Sequence, residues 1–141
     1  MGYDTGNSVP MTKEEMDQYL TSIGGIYRTW GRDRGPITNA HLFEINSGWY
    51  PMIKSLIDEL IALGWDRTIH QVKEKFGGLR FYAENIPEGG EAIIAKYEAL
   101  SYSICENCGK QGVTRQGSWL RVLCDEHSEG KEPFTFPKIE L

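Results

Sequence analysis

Cysteine is scarce in this chain: there are 3 among 141 residues, all of them between positions 105 and 124. A secreted scaffold stapled by disulfides is therefore excluded. Long apolar runs are missing too, since no stretch approaches the ~20 residues that a bilayer-spanning helix needs. Positive charge is in deficit, with a formal net charge of −5, which argues against a protein that coats DNA. The first residues, Met1 to Gly6, have neither the basic nor the apolar region of a signal peptide, and Gly6 stands where a myristoylation pattern requires Ser or Thr. These absences together predict a reducing, cytoplasmic setting. Internal repeats and low-complexity segments are lacking, as are a Walker loop, a dinucleotide fingerprint and a Ser/His/Asp order.

What is present is concentrated near the C-terminus. Cys105-Glu-Asn-Cys108-Gly109 is followed, after a hairpin-sized insert, by Cys124-Asp-Glu-His127. Two close pairs of ligand-type side chains are how local sequence builds a tetrahedral zinc site, each pair curling its ligands onto one side of a turn. Gly109 gives the backbone freedom to leave the first knuckle. The spacing predicts one structural zinc on Cys105, Cys108, Cys124 and His127. A second hairpin is expected between the pairs, Gly112–Arg115 against Trp119–Leu123 around Gln116-Gly117. A knuckle, a hairpin and a last ligand pair opening a helical turn is the layout of a treble clef.

The length suits a single α+β domain with helices packed on a β-hairpin. Its expected divisions are a loose tail over 1–11, an α+β core over 12–104, the zinc module over 105–127, and an acidic tail over 128–141 in which Phe134, Phe136 and Pro137 favour an extended strand. Thr12 and Glu15 form a capping box, and Met16, Tyr19, Leu20 and Ile23 follow at helical spacing up to Gly24-Gly25. From Ile26 to Asn46 the pattern is poor; Tyr27 and Trp30 read as partly buried, and Arg32 to Pro36 as a charged turn. Pro51 opens a second helix whose stripe is Ile53, Leu56, Ile57, Leu60, Ile61 and Leu63, with Gly64 as its cap. Trp49, Tyr50 and Trp65 flank that helix as core aromatics. A third helix over Glu91–Ser103 places Ala92, Ile93, Ile94, Tyr97, Leu100 and Ile104 inward and runs into Cys105.

Thr68 to Tyr82 reads as a β-hairpin turning at Gly77-Gly78. That turn sets Phe76 against Leu79, Lys75 against Arg80, Glu74 against Phe81 and Lys73 against Tyr82. One face then carries Val72, Glu74, Phe76, Leu79 and Phe81 and belongs on the second helix. The other carries Lys73, Lys75, Arg80 and Tyr82. Three cations beside an aromatic suit a phosphate with a stacked base, although charged outer faces on hairpins are ordinary and lysines blunt edge strands. Glu74, on the apolar face, is expected to pair with a lysine such as Lys54 or to sit at the sheet edge.

Gly48-Trp49, the run Gln71-Val-Lys-Glu-Lys-Phe-Gly-Gly-Leu-Arg-Phe-Tyr82, and Cys105-x2-Cys108-Gly with Trp119 and Leu123-Cys124 together resemble a family of small uncharacterised proteins. That family is met in bacteriophages, prophages and scattered bacterial chromosomes. The resemblance covers residues 42–127 and implies a phage-type context without an agreed enzymatic activity. The first 41 residues and the acidic tail lie outside it, and His127 stands where a cysteine could equally serve.

Three function classes follow. A non-catalytic interaction protein would bind a host protein, or a nucleotide or nucleic acid, through Lys73, Lys75, Arg80 and Tyr82. A zinc enzyme would need an open coordination position, whereas four local ligands close the site. The deaminase pattern fails because His41-Leu-Phe-Glu44 has the wrong spacing and Ile104 precedes Cys105. A groove-reading zinc finger would need a ~12-residue spacer and a long recognition helix; here Lys110, Arg115 and Arg121 merely balance Glu106, Asp125 and Glu126.

Overall fold

A computed structural model of the chain describes residues 9–134. The expected tail residues 1–8, Phe136 and Pro137 therefore lie outside the described residues, whereas Met11 packs, half-buried, against the core. Helix α1 spans Lys13–Ile23. Its capping box forms as expected: Thr12 Oγ1 accepts from Glu15 N, and Glu15 Oε1 accepts from Thr12 N, both at 3.1 Å. Met16 and Leu20 are fully buried, so the periodic face is the one that packs.

Residues 26–44 hold three strands where the sequence suggested turns and loop. Strand β1 (Ile26–Thr29) and β2 (Arg32–Pro36) form an antiparallel hairpin, and β3 covers only Phe43–Glu44. Arg32 to Pro36 is thus a strand, and Trp30 at the hairpin tip is 89% exposed rather than partly buried. Helix α2 (Tyr50–Ala62) carries Pro51 in its first turn and buries Met52, Ile53, Leu56, Ile57 and Leu60 completely. Leu63 lies beyond its end and is largely exposed, so the stripe stops one turn earlier than expected. Trp49, Tyr50 and Trp65 are buried, as expected of core aromatics.

Strand β4 (Thr68–Lys75) is the centre of the five-stranded sheet. Two short parallel neighbours share one of its edges: β1 pairs at Ile26↔Thr68 and Tyr27↔Ile69, and β3 at Phe43↔Val72 and Glu44↔Lys73. The antiparallel β5 (Gly78–Ala83) takes the other edge.

The β4–β5 register differs from the expected one. Lys75 pairs with Gly78, Glu74 with Leu79, Lys73 with Arg80, Val72 with Phe81 and Gln71 with Tyr82. The turn is Phe76-Gly77, both at positive φ (54° and 85°). Packing from outside the hairpin explains the displacement. A Cβ on Gly78 would lie 2.3 Å from the Tyr102 ring, so Gly78 must stay in the strand, under that ring, and cannot serve in the turn. Moving the turn by one residue changes every cross-strand pair but no side chain's face. Val72, Leu79 and Phe81 accordingly join Ile53, Leu56, Ile57 and Leu60 in one buried cluster. Phe76 alone leaves its predicted face and is exposed in the turn.

Helix α3 (Gly90–Leu100) covers the outer edge of β5. The Phe81 N–H donates to Glu98 Oε2 and the Leu79 N–H to Ser101 Oγ, each at 2.9 Å. Those bonds remove the open edge that a terminal strand would otherwise present. Tyr97 is buried, and its hydroxyl joins Lys96 in binding Glu59 of α2. Ala92 faces solvent, contrary to expectation, because α3 turns Tyr97 rather than its N-terminal alanine toward α2.

Phe81 is 3% exposed and meets the Trp65 ring edge-on at 6.1 Å. Replacing Phe81 by Ala is expected to cost about 3–5 kcal/mol, measured by equilibrium denaturation. A loss under about 1 kcal/mol would be the signature of a surface position.

Candidate metal centre

The first knuckle is built by backbone geometry. Cys105 N donates to Lys110 O at 2.7 Å and Gly109 N to Cys105 O at 2.8 Å, with Gly109 at φ +80°. Strand β6 (Val113–Arg115) and β7 (Arg121–Leu123) then form the expected hairpin, but residues 116–120 make its loop, so Trp119 is outside the paired region. Cys124 follows β7 directly and caps a 3-10 turn over Asp125–His127. After a turn at Glu129-Gly130, the last described residues run beside β6: Phe134 N donates to Thr114 O and Gln116 N to Glu132 O, both at 2.8 Å.

These elements bring Cys105, Cys108, Cys124 and His127 together, with one ligand atom from each lying within 4.8 Å of the others. Cys108 Sγ and Cys124 Sγ are 3.7 Å apart, and His127 Nδ1 is 3.1 Å from Cys124 Sγ and 4.0 Å from Cys105 Sγ. Around a tetrahedral ion with metal–sulfur bonds near 2.3 Å and metal–nitrogen bonds near 2.0 Å, sulfurs stand about 3.8 Å apart and sulfur and nitrogen about 3.6 Å. The four atoms are therefore close enough to hold one metal ion, the widest separation having to close by up to about 1 Å. Burial opposes ionisation of the Cys105 thiol, but backbone N–H groups of Cys124, Cys108 and Asn107 outweigh it and hold the group below its ordinary value. Burial pushes the Cys108 thiol up to about 11, so loading the site releases protons.

The module is joined to the core at a contact that the ligand spacing did not announce. Gly48 N donates to Glu106 O, and Trp49 Nε1 donates to Ile104 O, both at 2.9 Å. A Cβ on Gly48 would fall 2.4 Å from the Glu106 carbonyl, so only glycine permits this approach. The Glu106 carboxylate, 7% exposed, accepts from Arg121 Nε at 2.6 Å and from Asn46 Nδ2 at 3.0 Å. Arg115, also buried, reaches Leu123 O, Lys131 O and Asp125 Oδ1, pinning the strand, the tail and the last knuckle together. The only sequence signal for this contact is the Gly48-Trp49 pair, which does not reveal its partner.

A second bridge joins the two hairpins. Glu74 does not meet Lys54, which pairs with Asp58. Its Oε1 accepts from Trp119 Nε1 at 2.8 Å and its Oε2 from Gly77 N at 2.7 Å. Between the hairpin tips lies a groove of about 530 Å³ lined by Lys73, Lys75, Phe76, Trp119 and Leu120 together with Glu44 and Glu74.

The four residues of the cationic face share one side of β4–β5, in an arrangement set by the observed register. Lys73 lies opposite Arg80 and beside Glu44 of β3, so a carboxylate adjoins the cluster. Lys75 is exposed at the strand end. Arg80 Nη1 donates to Leu79 O at 2.9 Å and lies 3.4 Å from the Tyr102 hydroxyl. Tyr82 is half exposed and borders a different hollow, shared with Glu91 and Glu98. Lys73 and Lys75 thus face the groove with Trp119, and Tyr82 does not. His41 and His70 take no part in the metal cluster; His70 Nδ1 lies 3.1 Å from Arg28 O.

Compared with protein-family models, curated proteins and solved structures, the chain matches none of them.

Cys108→Ser is expected to lose the bound metal and lower the thermal midpoint, read by elemental analysis and calorimetry. Gly48→Ala keeps all four ligands yet forces a methyl into the Glu106 backbone. It is expected to cost on the order of 3 kcal/mol in denaturant unfolding; a neutral result would show that the core and module do not depend on this contact.

Proposed function

We propose that this chain is a non-catalytic interaction protein, stiffened by one structural zinc and acting by binding an anionic partner. Three thiols and an imidazole at tetrahedral spacing suit zinc among the common ions. All four ligands come from the chain itself, which leaves no coordination position for water or substrate and favours a structural over a catalytic metal. On the resemblance of the hairpin and knuckle motifs to phage and prophage proteins, such a factor would act in a host cytoplasm. There it would change the behaviour of a nucleotide, a nucleic acid or an acidic host protein. No helix among the described residues is long and apolar enough to cross a membrane.

The observation that carries the binding reading is the pair Lys73 and Lys75 at the rim of the groove that Trp119, Phe76 and Leu120 line. Cations beside aromatic rings are the chemistry of a phosphate with a stacked base. The groove-reading zinc finger is less well supported, because the helical turn after Cys124 is confined to Asp125–His127.

Changing Lys73, Lys75 and Arg80 together to Ser is expected to leave folding and zinc content intact while abolishing binding of a fluorescent nucleoside triphosphate. Wild-type binding should weaken with added salt. A triple variant that folds, keeps its zinc and binds as tightly as wild type would defeat this reading.

A further inference from the structure

The β1–β2 hairpin carries a feature that the fold does not require. Its turn is Trp30-Gly31, with both residues at positive φ (52° and 71°), closed by the pair Thr29↔Arg32. This is the type I′ pattern, in which the first position favours Asn, Asp or Gly. A bulky side chain at positive φ is strained, and such strain persists where packing or function requires it. Phe76 occupies the equivalent position of the β4–β5 turn because Gly78 is held beneath Tyr102. Trp30 has no comparable reason. Its side chain is 89% exposed, so burial does not offset the strain.

The surroundings of the ring are cationic. Arg28 is neutralised by Asp33 at 2.7 Å and Glu84 at 3.4 Å. Arg32 and Arg34 are exposed, and among the described residues neither has a carboxylate partner. Alternation puts these two on the same side of β2 as Thr29, the cross-strand partner of Arg32. Arg34 Nε donates to Thr29 Oγ1 at 2.8 Å, which draws its guanidinium toward the turn. In this part of the hairpin β1 has left β4, its pairing there ending at Tyr27↔Ile69, so the tip stands out from the sheet. The outer edge of β2 carries no strand among the described residues.

We infer that the Trp30 tip is a contact site for single-stranded nucleic acid, with a base stacked on the indole and backbone phosphates on Arg32 and Arg34. Charge complementarity decides the occupant. One exposed ring beside two guanidinium groups that lack a carboxylate partner among the described residues is not the buried, desolvated setting of a protein hot spot. It does supply the two elements of sequence-tolerant strand binding, an aromatic platform and phosphate-binding cations. The net charge of −5 does not prevent this, because at physiological salt charges act over ~8 Å. The site is separate from Lys73, Lys75 and Arg80 and does not depend on that face being functional.

The test uses the metal-loaded full chain and a fluorescein-labelled single-stranded oligonucleotide of mixed sequence, followed by anisotropy at low salt. Wild type is expected to bind, and Trp30→Asn to bind at least about tenfold more weakly. Because Asn suits the turn, Trp30→Asn should keep or raise the thermal midpoint, so lost binding would not reflect lost folding. Trp30→Phe should retain most of the affinity. Arg32→Gln with Arg34→Gln should weaken binding and reduce the salt slope by roughly 1.4, the value for two phosphate contacts on a single strand. Absence of wild-type binding would overturn the inference, as would unchanged affinity in Trp30→Asn or equal competition by duplex of the same sequence. The Lys73, Lys75 and Arg80 triple variant, run in parallel, separates the two readings. Oligonucleotide binding lost there but kept in Trp30→Asn would reject the tip and support the β4–β5 face.

Discussion

Two hydrogen bonds at Gly48 and Trp49 carry the organisation of this molecule. The Gly48 amide and the Trp49 indole donate to the backbone carbonyls of Glu106 and Ile104, on either side of Cys105, the first candidate metal ligand. Helix α2, the main source of core residues, begins at the next residue, Tyr50. The start of the central helix and the first knuckle are thus held in one fixed relation. Glu106 reinforces the contact, because its buried carboxylate is satisfied by Arg121 and Asn46. A buried charge of this kind is tolerated only while its partners remain, so the join between core and module is stringent as well as tight.

The fold is also economical with its sheet edges. Strand β4 has neighbours on both sides, and Glu98 of α3 and Ser101 accept the Phe81 and Leu79 N–H groups on the far edge of β5. At the other end of the strand order stands β2, with charged, exposed side chains that discourage uncontrolled pairing. Trp30 is set at the end of that hairpin, where an aromatic ring contributes nothing to the core. The two hairpins treat similar turns differently. One accepts a bulky residue at positive φ because packing elsewhere demands the register, while the other presents it to solvent.

A metal on the four ligands also matters to the energetics of so small a chain. A structural zinc held there would supply roughly 10–16 kcal/mol, comparable with the whole 5–15 kcal/mol stability of an ordinary domain. The knuckle ligands are tied through Arg115 to the tail and through Gly48 to α2. Binding or loss of an ion at these ligands would therefore be felt well beyond residues 105–127.

The amino-acid sequence by itself determined the features that depend on local spacing. These were the capping box at Thr12, the apolar stripe of α2, the two ligand pairs and the inward face of the β4–β5 hairpin. Each is written within a few residues, as a period or a fixed gap. Only the tertiary structure decided the rest. Strands β1 and β3 pair with β4 over two residues each, too short for alternation to register. The turn at Phe76-Gly77 depends on Tyr102 lying over Gly78, and Glu74 chose Trp119 and Gly77 over a lysine because the two hairpin tips meet. Gly48 is marked in the sequence, but its partner Glu106 is apparent only in the fold. In each case the deciding contact comes from a distant part of the chain, and close approach between backbones leaves no periodic trace in the sequence.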